Sequence, residues 1–132
     1  MATEAELVQI GELYERFNRG DLDGGFELLH PEAELHQNPE FPDGGVYRGR
    51  EEFRRGLNIF LEEWKQFRFD PTETEVGERV WMRVRLGGIG KTSGVPLELD
   101  VFHVWDLKDD RPFRCRVFLG EEESRAEAGL GA

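Results

Sequence analysis

The apolar residues of this chain change their period at Pro71: they recur at three- and four-residue steps before it and at two-residue steps after it. The first spacing gathers side chains on one face of a helix, the second on one face of a strand. Helices followed by strands in a chain of 132 residues predict an α+β layer fold, with three N-terminal helices laid over a curved antiparallel sheet. A chain of this size buries roughly two thirds of its unfolded surface and builds one core. One domain is therefore expected over 1–122, with 123–132 a frayed polar tail.

Leu7, Ile10, Leu13, Tyr14 and Phe17 share a helical face, and Thr3 with Glu6 fits a capping box. Asn18-Arg19-Gly20-Asp21 ends that helix on a glycine and opens a second, short one that stops before Pro31. Glu34 to Gln37 reads as a short strand, and Pro39, Pro42, Gly44 and Gly45 as a loop. Phe53, Leu57, Phe60, Leu61 and Trp64 then predict a third helix with an inward aromatic stripe.

Beyond Pro71, Val80, Met82, Val84 and Leu86 alternate with Trp81, Arg83 and Arg85, and Gly87, Gly88, Gly90 and Gly94 predict a loop. In the next strand Leu97, Leu99, Val101, His103, Trp105 and Leu107 take one face. In the last, Phe113, Cys115, Val117 and Leu119 do so. The opposite sheet face mixes charges of both signs with aromatics, which predicts a homodimer interface made by Trp81, Arg83, Arg85, Phe102, Arg114, Arg116 and Phe118. Leaving those rings in water would forgo roughly 25 cal/mol per Å² of apolar burial.

Twenty-eight acidic against seventeen basic residues give a formal charge of -11, a surface that repels phosphate backbones and anionic lipid. Nucleic acid and membrane are therefore not expected partners. No apolar run approaches the roughly 18 residues of a membrane span, and the first ten residues carry no Lys or Arg, so a cytoplasmic protein is expected. Cys115 is the one cysteine and reads as an apolar strand residue. It leaves no disulfide, and His30, His36 and His103 lie too far apart in sequence to mark a metal site; no metal or cofactor is expected. Ser93, Ser124 and Thr92 have no assignable base beside them, which sets aside a nucleophile mechanism.

Phe17-Asn18-Arg19-Gly20-Asp21-Leu22-Asp23, Leu28-Leu29-His30-Pro31-Glu32-Ala33-Glu34-Leu35 and Gly45-Val46-Tyr47-Arg48-Gly49-Arg50-Glu51 are three segments with a shared likeness. Together they resemble the SnoaL-like, polyketide cyclase and ketosteroid isomerase-related branch of the nuclear transport factor 2-like superfamily. The resemblance covers nearly the whole chain and implies a cone whose sheet and helices enclose an apolar pocket. These motifs are turns and helix starts, so they imply a fold and leave the chemistry open.

Ketosteroid isomerase works with an aspartate base and an oxyanion hole of a tyrosine and a protonated aspartate. Carried over by motif, the base position falls on Gln37, the tyrosine position on Leu13 with Tyr14 one residue on, and the second oxyanion position on His103. An amide has no basic site in the accessible pH range, so isomerase chemistry of that kind is not expected. His103, set among apolar neighbours, is expected to titrate low and to act as a base, as a donor, or simply as a hydrogen-bonded core histidine. Gln37 and His103 are the candidate catalytic pair. His36 reads as exposed by strand alternation and His30 as a helix-end cap; Glu40 is a weaker loop candidate, and Asp43 weaker still.

The expected pocket wall runs from Leu13, Tyr14, Phe17 and Leu35 through Phe41, Phe60 and Trp64. It continues along the strands through Met82, Val84, Val101, Trp105, Val117 and Leu119, with Glu40 at the mouth. Two functions fit these residues. One is a cofactor-free isomerase, cyclase or hydratase acting on a small apolar molecule. The other is a ligand carrier or dimerisation module without catalysis.

Overall fold

Thr3 caps the first helix as its sequence predicts: Glu6 N–H donates to Thr3 Oγ1 at 3.2 Å, and Thr3 N–H to Glu6 Oε1 at 2.7 Å. The computed structural model describes residues 2–41 and 43–131. Helix α1 spans Glu4–Asn18 and α2 spans Leu22–Leu28. Between them Gly20, at φ +84°, closes a Schellman turn in which Gly20 N–H meets Phe17 O and Asp21 N–H meets Arg16 O. Asp21 then caps α2 through Gly24 N–H at 2.9 Å.

The remaining elements in order are β1 Glu34–Gln37, β2 Gly45–Arg48, α3 Arg50–Leu61, β3 Trp64–Val76, β4 Val80–Gly90, β5 Pro96–Lys108, β6 Arg111–Phe118 and α4 Glu121–Glu127. The six strands form one open, curved sheet in the order β2-β1-β6-β5-β4-β3. The six strands are joined by five pairings, four antiparallel and one parallel, β1 on β6, so the sheet is mixed where the sequence predicted an antiparallel one. The parallel pairing sets Leu35 beside Cys115 and carries β1 into the sheet next to the last strand.

Two strands escaped the sequence reading. β2 is short, and β3 is an edge strand of polar composition containing Pro71, which an edge tolerates because one side of its backbone needs no ladder partner. Irregular register at Lys65/Arg68 and Pro71/Glu73 further blurs its period. Trp64 consequently opens β3, three residues past the end of α3, where the sequence had placed it on the helix stripe. Gly87, Gly88 and Gly90 lie inside β4, not in a loop; the turn is Lys91 to Gly94.

The tail is a second departure. Residues 121–127 form α4, which lies on the convex face of the sheet with Ser124 and Ala128 fully buried. Trp81 and Phe102 are sealed beneath it, and Trp81 Nε1–H donates to Ser124 Oγ at 2.8 Å. Arg116 pairs with Glu127, Arg83 with Glu121 and Arg125 with Glu75, so the charges also act within the chain. The apolar area that argued for a second copy at this face is thus covered by the chain's own C-terminal helix. Arg85 pairs with Glu98 and Asp100, and Arg114 with Glu34 and Asp106.

The main core lies on the concave side, where α1, α2 and α3 pack over β4, β5 and β6 through Ile10, Leu13, Phe26, Phe53, Val80, Met82 and Val84. No helix among the described residues is long and apolar enough to cross a membrane.

Candidate functional site

The middle of β5 carries the polar centre of the molecule. His103 lies opposite Met82 on one side and Val117 on the other, and Trp105 opposite Val80 and Cys115; strand alternation turns both side chains to the concave face. Tyr14 reaches them from the fourth turn of α1. Trp105 Nε1–H donates to Tyr14 Oη at 2.9 Å, and Tyr14 Oη lies 2.6 Å from His103 Nδ1.

The direction of this chain fixes the imidazole tautomer. An indole nitrogen can only donate, so Tyr14 Oη accepts from Trp105 and its own proton is free to go to His103 Nδ1. The reverse arrangement would leave the phenol proton without an acceptor among the described residues. With Nδ1 accepting, the imidazole proton sits on Nε2, which has no hydrogen-bond partner among the described residues. Burial pushes the His103 pKa down to about 4, so the ring is neutral at ordinary pH. It also lifts the Tyr14 phenol well above its usual range and the Cys115 thiol above its own. His103 is therefore a donor at Nε2; to act as a base at Nδ1 it would have to give up Tyr14.

These groups line an inner cavity of about 50 Å³, room for a few water molecules. Of the sequence-predicted residues, Tyr14, Phe17, Leu35, Gln37, Phe41, Phe60, Val101, His103, Trp105 and Val117 line it. Leu13, Met82 and Val84 are in the packed core instead, and Leu119 is half-buried against it. Glu40 is exposed, its N–H held by Asn38 Oδ1. Of the two neighbours Leu13 and Tyr14, it is Tyr14 that lines the cavity, one residue being about 100° around the helix.

Phe53, Leu57, Phe69, Leu86 and Cys115 also line the cavity and were not assigned to it from sequence. Phe53, Leu57, Leu86 and Cys115 sat on core-facing stripes already read correctly. Phe69 was out of reach because its strand was missed.

A second, wider apolar hollow of about 350 Å³ adjoins the first, lined by Phe41, Asp43, Ile59, Phe60, Glu63, Trp64, Leu86, Leu97 and Leu99. Phe41, Phe60 and Leu86 belong to both walls. The Phe41 and Phe60 rings meet edge to face with centroids 5.5 Å apart, which makes them the partition between an inner chamber and an outer vestibule. Trp64, expected in the inner pocket, stands in the vestibule.

Gln37 is held at both ends: Asn38 N–H donates to its Oε1 at 3.0 Å, and its Nε2–H donates to Asp43 Oδ2 at 3.2 Å. His36 is bound to Glu34 at 2.8 Å and His30 to Asp109 at 2.9 Å, and neither lines the cavity. No group of three or more His, Cys, Asp or Glu among the described residues is placed to hold a metal ion.

Comparison with known proteins agrees with this architecture. An NTF2-like protein of unknown function from Burkholderia pseudomallei superposes with a TM-score of 0.78 at 22% identity, covering 96% of this chain and 98% of its own. TerC, co-crystallised with polyporic acid, gives 0.77 at 21%, covering 95% and 98%. A candidate polyketide cyclase from Xanthomonas campestris gives 0.76 at 19%, covering 95% and 97%. At these identities the likeness is one of fold. Comparison with curated proteins finds no match. The family model of the SnoaL-like domain matches residues 10–114, most of the chain, and the chain belongs to that family.

Proposed function

We propose that this chain receives a small, flat, mainly apolar molecule in its interior and holds it by a carbonyl oxygen, to which His103 Nε2–H donates. The relay Trp105 to Tyr14 to His103 carries this reading: three buried groups are joined so that one N–H is left for a chamber lined mainly by apolar side chains. A donor aimed at a carbonyl in a water-poor site also stabilises the negative charge that builds on oxygen during enolisation, so isomerase- or cyclase-type chemistry fits the site. TerC's co-crystallisation with polyporic acid is in keeping with an organic guest in this fold.

Ligand binding without turnover is the second reading. It is favoured by the inner wall itself, which carries no carboxylate: Gln37 is an amide pinned at both ends, and His103 has lost basicity to burial. On either reading ketosteroid isomerisation through residue 37 is not expected, since an amide cannot take the carbon-bound proton.

The test compares 2-acetonaphthone with 2-ethylnaphthalene, which has nearly the same shape and no oxygen. The ketone should bind about tenfold more tightly, and His103→Phe should erase the preference while keeping hydrocarbon affinity. Equal affinity of the two compounds for the unaltered protein would contradict the reading.

A further inference from the structure

The partition of Phe41 and Phe60 separates two chambers of different polarity. The inner one offers a donor, His103 Nε2–H. The vestibule is apolar except at Asp43, which is nine-tenths buried, and Glu63 at its rim, which is exposed. Asp43 is not a loosely placed loop acid. Its Oδ2 accepts from Gln37 Nε2–H, and that amide cannot turn over because its oxygen is fixed by a main-chain N–H. Its own main-chain oxygen accepts from the Tyr47 hydroxyl at 2.6 Å.

Asp43 Oδ1 has no hydrogen-bond partner among the described residues, and Asp43 lines the otherwise apolar vestibule, so this oxygen is open to an incoming donor. Gln37 lies in the inner wall and Asp43 in the outer one, so the bond between them crosses the waist of the two chambers. We infer that Asp43 is a specificity residue for the ligand's second polar group: the guest carries a hydroxyl that donates to Asp43 Oδ1 while its carbonyl oxygen accepts from His103. The ligand class is then a hydroxylated aromatic or polycyclic ketone spanning both chambers. This rests on the pocket reading above and adds a requirement to it that the inner chamber alone does not impose.

The experiment uses the full chain with 6-hydroxy-2-acetonaphthone and its 6-methoxy counterpart, titrated by fluorescence and calorimetry. The unaltered protein should bind the hydroxy compound at least about tenfold more tightly, as expected for a hydrogen bond that the methoxy compound cannot donate. Asp43→Asn leaves an oxygen for Gln37 and the main-chain oxygen for Tyr47. It should remove that preference, the hydroxy compound losing at least about tenfold more affinity than the methoxy compound. Equal binding of the two compounds by the unaltered protein, or a preference that survives in Asp43→Asn, overturns the inference. So does loss of both compounds together in the variant. If neither of these compounds nor 2-acetonaphthone binds the unaltered protein, the pocket reading itself falls.

Discussion

At the scale of single residues, the chain uses burial to set proton positions. His103 titrates near 6.5 when unfolded and at about 4 when folded, with burial as the cause. Between those values the unfolded chain binds the extra proton, so acid draws the equilibrium toward unfolding. The contribution of His103 to stability is full above pH 6.5, declines as pH falls, and levels off near pH 4, a change of about 3 kcal/mol at 1.36 per unit. Urea unfolding at pH 7 and pH 4.5 should show a smaller acid loss in His103→Phe than in the unaltered chain, by about 2 kcal/mol. Parallel losses would contradict the burial of a neutral imidazole. The sequence made the low titration of His103 legible, because its neighbours two residues away are apolar. The role of Tyr14 was not legible: periodicity puts Leu13 and Tyr14 on the same broad stripe, and only the packing angle of α1 decides which of them meets β5. Asp43 was hidden for a similar reason, since a Pro/Gly loop gives no period from which to read the direction of a side chain.

Among the elements, α4 has the largest consequence. Composition makes residues 121–132 look like a solvated tail, since Glu121, Glu122 and Glu123 open it and small residues follow. Acidic residues in a first turn also favour a helix through its dipole, and a single face of Ser124 and Ala128 is enough to seal Trp81. A short helix whose inward face is small carries too weak an apolar pattern to be recognised before the surface it covers is known. β3 shows the opposite case, a long strand whose polar edge position and Pro71 conceal it. Truncation after Leu119 should expose Trp81 and Phe102, lower stability by at least about 2 kcal/mol, and produce concentration-dependent self-association in sedimentation. An unchanged urea midpoint with no association would show that α4 is not what shields this face.

For the whole molecule, the order of helices before strands was enough to place three helices over a sheet, because each layer has one apolar face to hide. It was not enough to size the interior. An inner chamber of about 50 Å³ cannot hold a ligand of ordinary size, whereas the vestibule of about 350 Å³ can hold most of one. A guest that reaches His103 from the vestibule therefore has to part Phe41 from Phe60, with its polar head within and its body without. The most direct measurement is the imidazole nitrogen spectrum of His103 in ¹⁵N-labelled protein, recorded alone and during titration with 2-acetonaphthone. A neutral ring protonated on Nε2 is expected at pH 7, with an Nε2 resonance that shifts in proportion to the ketone bound. A ring protonated on Nδ1, or an Nε2 signal that does not respond while ketone binds, would contradict this.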